Sequence, residues 1–527
     1  MSKIRRPMAR IDRSPQSDLF GPSPTSSPRK RLRHQGPVVT IDPDPAELTI
    51  GSSTLREHLE TMGIREVFIV RETLEALDYG AFLEQYKPGG RPAYGPRSMA
   101  GIVLYAMMRG VTSLRGMERL ARTDVGCWWV SGGITPDHSI LGRFIQKHNE
   151  ALQGALFSAV VEEALRRTGT SGEDVAGDGT VIEAMSSRYG LLHAEALKRM
   201  QEELGEAEDE ASVRECERLA ALEQALAERR EESGHPKSYE QGHPLEPEAS
   251  VLKQKGGGHR LSYAPVVLAN EARIVVDAEL STGFELKAMV KALQETEAKR
   301  VSLDNGFLKG PVLEAAVERE LDALIATKGE AAEDPEDGPQ RYRAEDFEYR
   351  EGEDVYVCPA GQVLVPVACS KGGIEGGGYV RYANRAACGA CAQREKCTKS
   401  RYRILQRTRV TMLRETMRGI MKHRQARTRY ARHKAWVEPV FSVLRLRQGL
   451  NRFRRRGLAG ARLEFRLHLM AYNLSRIVAW VLRFSSAVGG VFQAVLSLLE
   501  RFLGRWFGIR VSAVQIASAH RELAWGS

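Results

Sequence analysis

The apolar pattern of this chain changes its period near Gly172, and the change limits the folds that the chain can adopt. From about residue 53 to residue 167, apolar residues recur at spacings of three and four, as on the buried face of an α-helix. After Gly172, short apolar runs bounded by turn residues are typical of β-strands. The sequence therefore predicts an all-helical first domain followed by an α/β domain.

Five short strands are predicted after this change, and helices alternate with the later ones. Helices are expected at residues 285–298 and 311–321, and such alternation is the pattern of an α/β fold. The sequence thus predicts a mixed five-stranded sheet. The predicted strands are residues 175–182, 261–268, 274–280, 300–303 and 323–327.

Two insertions interrupt the predicted sheet. Residues 191–232 are dense in Glu, Arg, Ala and Leu, which indicates a solvated helix or helical hairpin. The second insertion, residues 330–406, begins acidic, then carries aromatic residues, glycines and cysteines, and lacks the pattern of a sheet strand. Helical periodicity returns from about residue 414.

The length of the chain predicts several domains, because 527 residues exceed the size at which a single hydrophobic core keeps growing. Residues 1–50 are rich in Pro, Ser and Arg and lack apolar periodicity, which predicts a disordered basic arm. The other expected units are a helical domain for DNA binding or dimerisation (51–170), the α/β core (171–329) with its helical insertion (190–258), a Cys-rich insertion (330–410), core helices (411–483) and a C-terminal helical segment (484–527).

Two segments of the first domain, residues 113–123 and 137–147, have helical patterns and are separated by Gly132, Gly133 and Pro136. They fit a helix-turn-helix pair that reads DNA. An ordinary helical bundle fits the same segments equally well, so both interpretations stay open.

The basic residues are concentrated in one segment near the carboxyl end. The chain has a formal net charge of +10, and residues 418–456 carry thirteen Arg or Lys but only one acid, Glu438. A solvated charged helix normally intersperses acids for pairing, so this segment favours a polyanionic partner, with DNA as the leading candidate. The candidate phosphate contacts are Arg424, Arg427, Arg429, Arg432, Arg452, Arg454, Arg455 and Arg456.

The chain ends argue against secretion and against a membrane partner. Residues 1–33 contain no apolar run of the kind found in secretory signals, so a cytoplasmic location is expected. Residues 484–499 are uncharged, but this stretch is shorter than the roughly 20 residues that span a bilayer, and it predicts a buried helix.

Seven cysteines are present, and five of them lie between Cys358 and Cys397. The odd number and the expected cytoplasmic location argue against a disulfide framework. Cys388 and Cys391 have the spacing common in zinc sites, and Cys358 and Cys397 would complete a set of four thiolate ligands for a structural Zn²⁺. A small domain with reduced, packed thiols is the alternative.

Three acids are candidates for catalysis. Asp178 lies within the first predicted strand, where a carboxylate among apolar neighbours is unfavourable unless it is ligated or paired. Asp304 directly follows the fourth strand, although an Asp before Asn-Gly is also an ordinary turn former. Glu438 is the single acid of the basic segment, and a glutamate ion-paired on a solvated helix is the alternative for it.

These acids converge if the first and fourth strands lie side by side and a helix with Glu438 packs across them. Three carboxylates around one point repel one another unless divalent cations neutralise them, and hard oxygen ligands suit Mg²⁺ or Mn²⁺. Two such ions about 3.5–4 Å apart support phosphoryl transfer. The competing acids are Glu183, Asp277, Glu279 and Asp322, of which Asp277 and Glu279 are expected on a solvent-exposed side of their strand.

The same acids carry a family resemblance that spans about residues 70–480. The Gly-Asp-Gly-Thr at 177–180, the Leu-Asp-Asn-Gly-Phe at 303–307 and the Val-Glu-Pro-Val-Phe-Ser at 437–442 resemble bacterial insertion-sequence transposases of the DDE class. The closest similarity is to the insertion-sequence group numbered eleven eighty-two. The Gly-Leu at 457–458 and the Leu-Met-Ala-Tyr-Asn-Leu at 469–474 also fit, and similar cysteines occur in that family.

This resemblance implies a ribonuclease-H-like catalytic core with Asp178, Asp304 and Glu438 as the catalytic, metal-binding triad. It also implies basic residues before and after the glutamate, here Lys434 in place of Arg and Arg445 in place of Lys. Their spacing places both on the helical face of Glu438, where they are expected to face the DNA backbone. The expected Tyr position holds Ala431.

The resemblance implies an enzyme that binds the ends of its element in double-stranded DNA, cleaves them with two Mg²⁺ or Mn²⁺ ions, and joins them to target DNA. A homodimer is expected, because both ends must be held together. A metal-dependent nuclease without strand transfer and a catalytically inactive, domesticated DNA-binding protein are the main alternatives. A ribonuclease acting on RNA–DNA hybrids is a weaker one.

Overall fold

The structure is a computed structural model that describes residues 38–87, 92–204, 209–233, 241–254, 257–327, 342–374 and 377–507, with side chains of the last helix described to residue 483. Most of the predicted basic arm lies outside these residues. Its described end is structured, because Asp42 accepts two hydrogen bonds from the Arg97 guanidinium, at 2.9 and 2.5 Å. Residues 40–50, the end of the predicted arm, therefore belong to ordered elements.

The first domain is helical, with four two-residue strands at its edge. Its first helix begins at a reciprocal cap in which Thr54 and Glu57 each bind the backbone N–H of the other. The elements are β1 (Thr40–Ile41), β2 (Thr49–Ile50), β3 (Ser53–Thr54), α1 (Leu55–Thr61), α2 (Glu66–Glu75), α3 (Gly80–Leu83), β4 (Ala93–Tyr94), α4 (Pro96–Met108), α5 (Leu114–Thr123), α6 (Val125–Ser131), α7 (His138–Lys147), α8 (Asn149–Gln153) and α9 (Ala155–Thr168).

The two segments proposed as a helix-turn-helix pair both form helices, α5 and α7. They are joined by a further helix, α6, rather than by a turn. Asp124 caps α6 through the N–H of Cys127, and Gly132 ends it with a left-handed φ of 73°. α6 was not predicted from the sequence. Its seven residues are mostly buried.

The first core strand leads directly into the helical insertion. The insertion has its own small apolar cluster of Leu197, Leu219, Leu222 and Leu226, so its helices are only partly solvated. The elements here are β5 (Asp174–Gly179), β6 (Ile182–Glu183), β7 (Leu192–His193), α10 (Ala194–Leu204), α11 (Glu210–Ser233) and β8 (Gln241–Gly242).

The core sheet has five strands in the order β11-β10-β5-β12-β13, and β6 and β9 also pair with β10. β5, β12 and β13 run parallel, whereas β10 is antiparallel to both β5 and β11. The elements are β9 (Ser250–Lys253), β10 (His259–Ala269), β11 (Val275–Ser281), α12 (Glu285–Glu295), β12 (Arg300–Leu303), α13 (Gly310–Glu318) and β13 (Asp322–Ile325).

The core sheet is buried on both faces. Along β5, Val175 belongs to the cluster with α12 and α13, while Ala176 belongs to the cluster shared with the first domain and the C-terminal helices. Strand side chains alternate between faces, so adjacent residues separate the two cores. The first domain and the sheet therefore fold around one continuous core.

The Cys-rich insertion contains a five-stranded antiparallel sheet, so the expectation of no strands there was wrong. Its core is aromatic: the rings of Tyr349 and Tyr382 each lie 5.0 Å from that of Tyr356. Short strands separated by Gly and charged residues give little periodicity to detect. The elements are β14 (Glu348–Arg350), β15 (Val355–Val357), β16 (Val363–Cys369), β17 (Tyr379–Ala383), α14 (Arg385–Gly389), α15 (Arg394–Cys397) and β18 (Ile404–Thr408).

Four helices follow: α16 (Arg409–Lys422), α17 (Arg424–Tyr430), α18 (His433–Leu446) and α19 (Gly457–Phe507). α19 packs against α9, α4 and β11 and so joins the first domain to the sheet. The stretch 484–499, predicted as a buried helix, lies in α19, but its side chains are outside the description. Within the described part of the chain, no helix is both long and apolar enough for a membrane span.

Asn473 anchors α19 to the edge strand of the core sheet. Its fully buried side chain accepts from the N–H of Val275 and donates to the carbonyl of the same residue, both at 2.9 Å. Asn473→Ala leaves both backbone groups unsatisfied, and we expect it to lower the free energy of unfolding by about 3 kcal/mol. Thermal unfolding followed by circular dichroism measures this loss.

Ser475→Ala is the matched control for that measurement. It removes only a hydroxyl bonded to the Ala471 carbonyl in the same helix, at 2.9 Å. The unfolding midpoint of this variant should stay close to that of the wild type. If the unfolding midpoint of Asn473→Ala equalled that of the wild type, the anchoring role of Asn473 would be contradicted.

Candidate active site

Asp178 is placed by two close-packed glycines on β5. A Cβ at Gly177 would lie 2.6 Å from Cδ2 of Leu303 and 2.8 Å from Cδ2 of Leu268, and a Cβ at Gly179 would collide with the Glu285 carboxylate. A side chain at either position would force the neighbouring elements apart. The glycines therefore let helix α12 and strand β12 approach the backbone on both sides of Asp178.

Asp304 stands beside Asp178 because β12 pairs with β5 in parallel. The register places Leu303 opposite Gly177, so the next residue of each strand carries a carboxylate. Asp304 also accepts the N–H of Gly306 at 2.8 Å and begins the short turn over Asn305–Phe307. The turn-forming role and the placement next to Asp178 therefore occur together.

Glu438 lies on the exposed face of α18. The opposite face, with Val437, Val440, Phe441 and Leu444, is buried, and the helix packs against β5. At the start of the helix, Nε2 of buried His433 donates to the carbonyl of Gly177 at 3.0 Å. This contact ties the helix of Glu438 to the residue before Asp178.

Pro439 is tolerated inside α18 because the carbonyl it leaves free has another partner. Proline has no N–H, so the Ala435 carbonyl four residues earlier loses its usual helical hydrogen bond. That carbonyl accepts from Nε of Arg273 at 3.0 Å. The proline next to Glu438 thus frees an acceptor that holds the helix against the loop before β11.

The electrostatic surroundings of Tyr430 show that the three acids share one region. Burial raises the pKa of the Tyr430 phenol to about 12, and the negative charges of Asp304, Asp178 and Glu438 add to the rise. The Tyr430 ring stacks on His433, with centroids 5.3 Å apart. Tyr430 directly precedes Ala431, which occupies the position where a Tyr was expected. Tyr430 itself was not among the residues predicted for the site.

A fourth acid, Glu285, was also missed. It is the first residue of α12, and its carboxylate lies against the backbone of Gly179, next to Asp178. Acids are common in the first turn of a helix because they stabilise the exposed N–H groups there, so nothing in the sequence distinguishes this one. Its position makes it a neighbour of the triad.

The competing acids are engaged in ion pairs. Asp277 pairs with Arg466 at 3.5 Å, and Glu279 pairs with Lys291 at 2.9 Å. The expectation that these two mark a solvent-exposed side was wrong, because Glu279 is buried and burial raises the pKa of Asp277. Glu183 lies 3.8 Å from Arg260, and Asp322 binds Arg429. In the described residues, no ion pair of Asp304 or Glu438 is present.

The donor set of the triad suits a hard divalent cation, since it consists of carboxylate oxygens from two neighbouring strands and one helix. Among the residues described, no three His, Cys, Asp or Glu side chains are already arranged as a closed metal site. Asp178 and Asp304 are half-buried and Glu438 is exposed, so their side chains have room to rotate. The chemistry of the donors therefore fits Mg²⁺ or Mn²⁺.

The four cysteines proposed as zinc ligands line one pocket of the insertion. Burial raises the pKa of Cys397, and the nearby thiols of Cys388, Cys358 and Cys391 raise it further. The geometry does not support zinc, because these thiols form no metal-binding group in the described part of the chain. All seven cysteines are free thiols in this structure.

Part of the basic segment is engaged within the protein. The Arg445 guanidinium, expected to face DNA, donates to Oγ1 of Thr180 at 2.5 Å and to the Val181 carbonyl at 2.9 Å. Arg452 donates to the Ala184 carbonyl at 3.0 Å, and burial lowers the pKa of Arg455. These three were expected to contact phosphate; in this structure Arg445 and Arg452 donate to groups of the protein itself, and Arg455 is half-buried.

Other cations of the segment remain available on the surface. They are exposed and, within the described ranges, show no side-chain hydrogen bond or ion pair. Arg429, by contrast, binds Asp322. The available cations are Arg424, Arg427, Arg432, Lys434, Arg454 and Arg456.

Two family descriptions match the chain. "Transposase domain (DUF772)" matches residues 64–147, within the helical first domain, and "Transposase DDE domain" matches residues 357–478, which include Glu438. Both matching descriptions are of transposase domains. These matches support an insertion-sequence transposase that acts on DNA, with a ribonuclease-H-like core. No curated protein and no solved structure matches the chain.

The two basic residues that flank Glu438 should differ in their effect on DNA binding. Each phosphate contact changes the slope of log K against log salt by about 0.9. Lys434→Gln should reduce this slope by about that amount, because Lys434 is exposed. Arg445→Gln should leave the slope unchanged but lower the free energy of unfolding by about 1.5 kcal/mol, through its lost bonds to Thr180 and Val181.

Salt titrations of DNA binding by fluorescence anisotropy measure both slopes, and denaturant unfolding measures the stability of each variant. If Arg445→Gln reduced the slope of log K against log salt and kept wild-type stability, Arg445 would contact phosphate rather than Thr180 and Val181 between β5 and β6.

Proposed function

We propose that this protein is a DNA transposase that binds the ends of an insertion sequence, cleaves them and joins them to target DNA. The observation that carries the proposal is the convergence of Asp178, Asp304 and Glu438 around Tyr430, from two adjacent parallel strands and one helix. Mg²⁺ or Mn²⁺, bound as two ions by these carboxylates, would activate the attacking oxygen and stabilise the leaving oxygen.

The residues around the triad hold it in place. His433 joins α18 to the Gly177 carbonyl, and Arg445 joins the same helix to Thr180, so two contacts fix Glu438 relative to Asp178. Tyr430 borders the carboxylates with a phenol that is protonated at neutral pH, as any tyrosine is, and its pKa, raised to about 12, keeps it protonated at higher pH too. A protonated phenol beside three acids adds no negative charge to a site that must accept a phosphodiester.

The exposed cations near Glu438 supply the proposed DNA surface. Arg424, Arg427, Arg432 and Lys434 lie before Glu438, on α17 and the start of α18, while Arg454 and Arg456 lie after it. Their placement on both sides of the acid favours a DNA backbone that crosses the triad. We assign the element to the group numbered eleven eighty-two, with a homodimer on paired ends, in the bacterial cytoplasm.

Neutralising a triad acid should abolish cleavage without abolishing DNA binding. Even groups that only orient metal ligands change metal affinity or activity by about 10–100-fold, so a ligand itself should matter at least as much. Asp178→Asn, Asp304→Asn and Glu438→Gln should each reduce Mg²⁺-dependent cleavage of element ends by more than about 100-fold. Cleavage of a duplex from the DNA flanking the reading frame measures this.

Glu271→Gln is the matched control, because Glu271 is an exposed acid in the turn between β10 and β11. It should cleave like the wild type. Unchanged cleavage by all three triad variants would contradict the proposal and favour an inactive, DNA-binding descendant of a transposase.

A strand-transfer assay separates the transposase from a nuclease on the same core. Pre-cleaved ends with a free 3′ hydroxyl should be joined to a plasmid by the wild type but not by Glu438→Gln, because joining uses the same carboxylates as cleavage. Cleavage without any joining would establish the nuclease alternative.

A further inference from the structure

A second basic site lies beside Asp304, between the core and the Cys-rich insertion. Asn305, Leu308 and Lys309, which follow Asp304, form one wall of a pocket with about 710 Å³ of open space. The remaining wall comes from the start of the insertion and from α16, through Arg343, Glu345, Arg414 and Arg418. Residues from three separate parts of the chain therefore meet there.

The lining of this pocket is suited to an anion. Four of its side chains are cationic, one is a carboxylate, and Leu308 is the only apolar residue among the lining side chains of the described chain. A pocket for a nucleobase would instead need aromatic or apolar walls on which a base could stack. The charge and polarity favour a phosphate group over a base.

Two features of these cations favour the binding of an external anion. The Nε of Arg414 is buried and has no hydrogen-bond partner within the described structure. Arg418 donates to Glu345 at 2.6 Å, and the Glu345 side chain is about half exposed. An anion entering the pocket would meet the Arg414 side chain, which lines it, and would compete with Glu345 for Arg418.

The pocket lies on the other side of the triad from the basic residues after α18. The backbone of Arg452 forms a β-bridge with that of Glu183 at the β6 edge, next to β10, whereas the pocket lies at the β12 and β13 side, where α16 packs on β13. Asp178 and Asp304 lie between these edges in the strand order. A DNA strand crossing the triad would thus meet cations on both sides.

We propose that Lys309, Arg343, Arg414 and Arg418 bind a backbone phosphate of the DNA strand that passes through the triad. The pocket positions that strand, with Glu345 holding Arg418 in the free protein. Arginine guanidinium groups suit this role because they bind phosphate oxygens in a bidentate manner. This inference rests on the proposed function, because it assumes that the triad acts on DNA.

The test is equilibrium binding of the full chain to a duplex from an element end, in EDTA so that no cleavage occurs. Arg414→Gln should weaken binding roughly ten-fold and reduce the slope of log K against log salt by about 0.9. Glu345→Gln should strengthen binding by about three-fold, because it frees Arg418 from a partly exposed pair. Arg401→Gln, an exposed arginine outside the pocket, is the control and should bind like the wild type.

The contacted phosphate is found with duplexes that carry a single neutral methylphosphonate at successive positions around the cleavage site. At one position, the methylphosphonate and Arg414→Gln should weaken binding by no more together than either does alone, because both remove the same contact. Additive losses at every position, or a wild-type slope for Arg414→Gln, would overturn the pocket as a DNA site.

Failure of this inference is distinct from failure of the proposed function. Binding in EDTA reports on the pocket alone, since it requires no metal and no chemistry. If Arg414→Gln has its expected effect but the wild type neither cleaves nor joins DNA in Mg²⁺, the pocket stands as a DNA phosphate site, whereas the transposase proposal and the role of the pocket in positioning a strand for the triad both fail. If the wild type cleaves and joins DNA while Arg414→Gln binds DNA like the wild type, the transposase proposal stands and the pocket fails as a DNA site.

Discussion

The parallel pairing of β5 with β12 is the constraint on which the candidate site depends. Because Leu303 lies opposite Gly177, the acids that follow these two residues are neighbours at one end of the sheet. A shift of one residue in this register would direct one of them to the other face of the sheet. Close packing of Leu303 against Gly177 fixes the register, since any side chain at that glycine would meet Cδ2 of Leu303 at 2.6 Å. The glycine therefore contributes to the site through geometry alone.

The third acid depends on how the C-terminal helices dock. α18 is held to β5 by His433, while α19 is held to β11 by Asn473 and by the pairing of Arg466 with Asp277. α19 also packs on the helices of the first domain, so the domain matched as a transposase domain and the core sheet share one core. Two of the acids that competed with the triad serve this docking, because Asp277 and Glu279 both pair with arginines of α19.

Sequence patterns predicted the elements that follow simple periodicity. The strand observed at Arg300–Leu303 has the bounds that its apolar run predicted, because a buried strand flanked by turn residues leaves a clear signal. The insertion sheet was missed, since its stability comes from tyrosines that meet across strands. The contacts of Arg445 with Thr180 and of Glu285 with Gly179 were not predicted, for a related reason. A sequence pattern shows which face of a helix a residue occupies, but these partners lie more than a hundred residues away along the chain.

Iron-mediated cleavage of the protein backbone would show directly whether Asp178, Asp304 and Glu438 bind metal together. Fe²⁺ substitutes for Mg²⁺ at oxygen-rich sites, and with ascorbate and peroxide it generates radicals that cut the chain beside the bound ion. We expect cuts near all three residues, suppressed by excess Mg²⁺ and lost together in Asp178→Asn. Cuts near only one of the three, or a pattern unchanged in Asp178→Asn, would contradict this expectation.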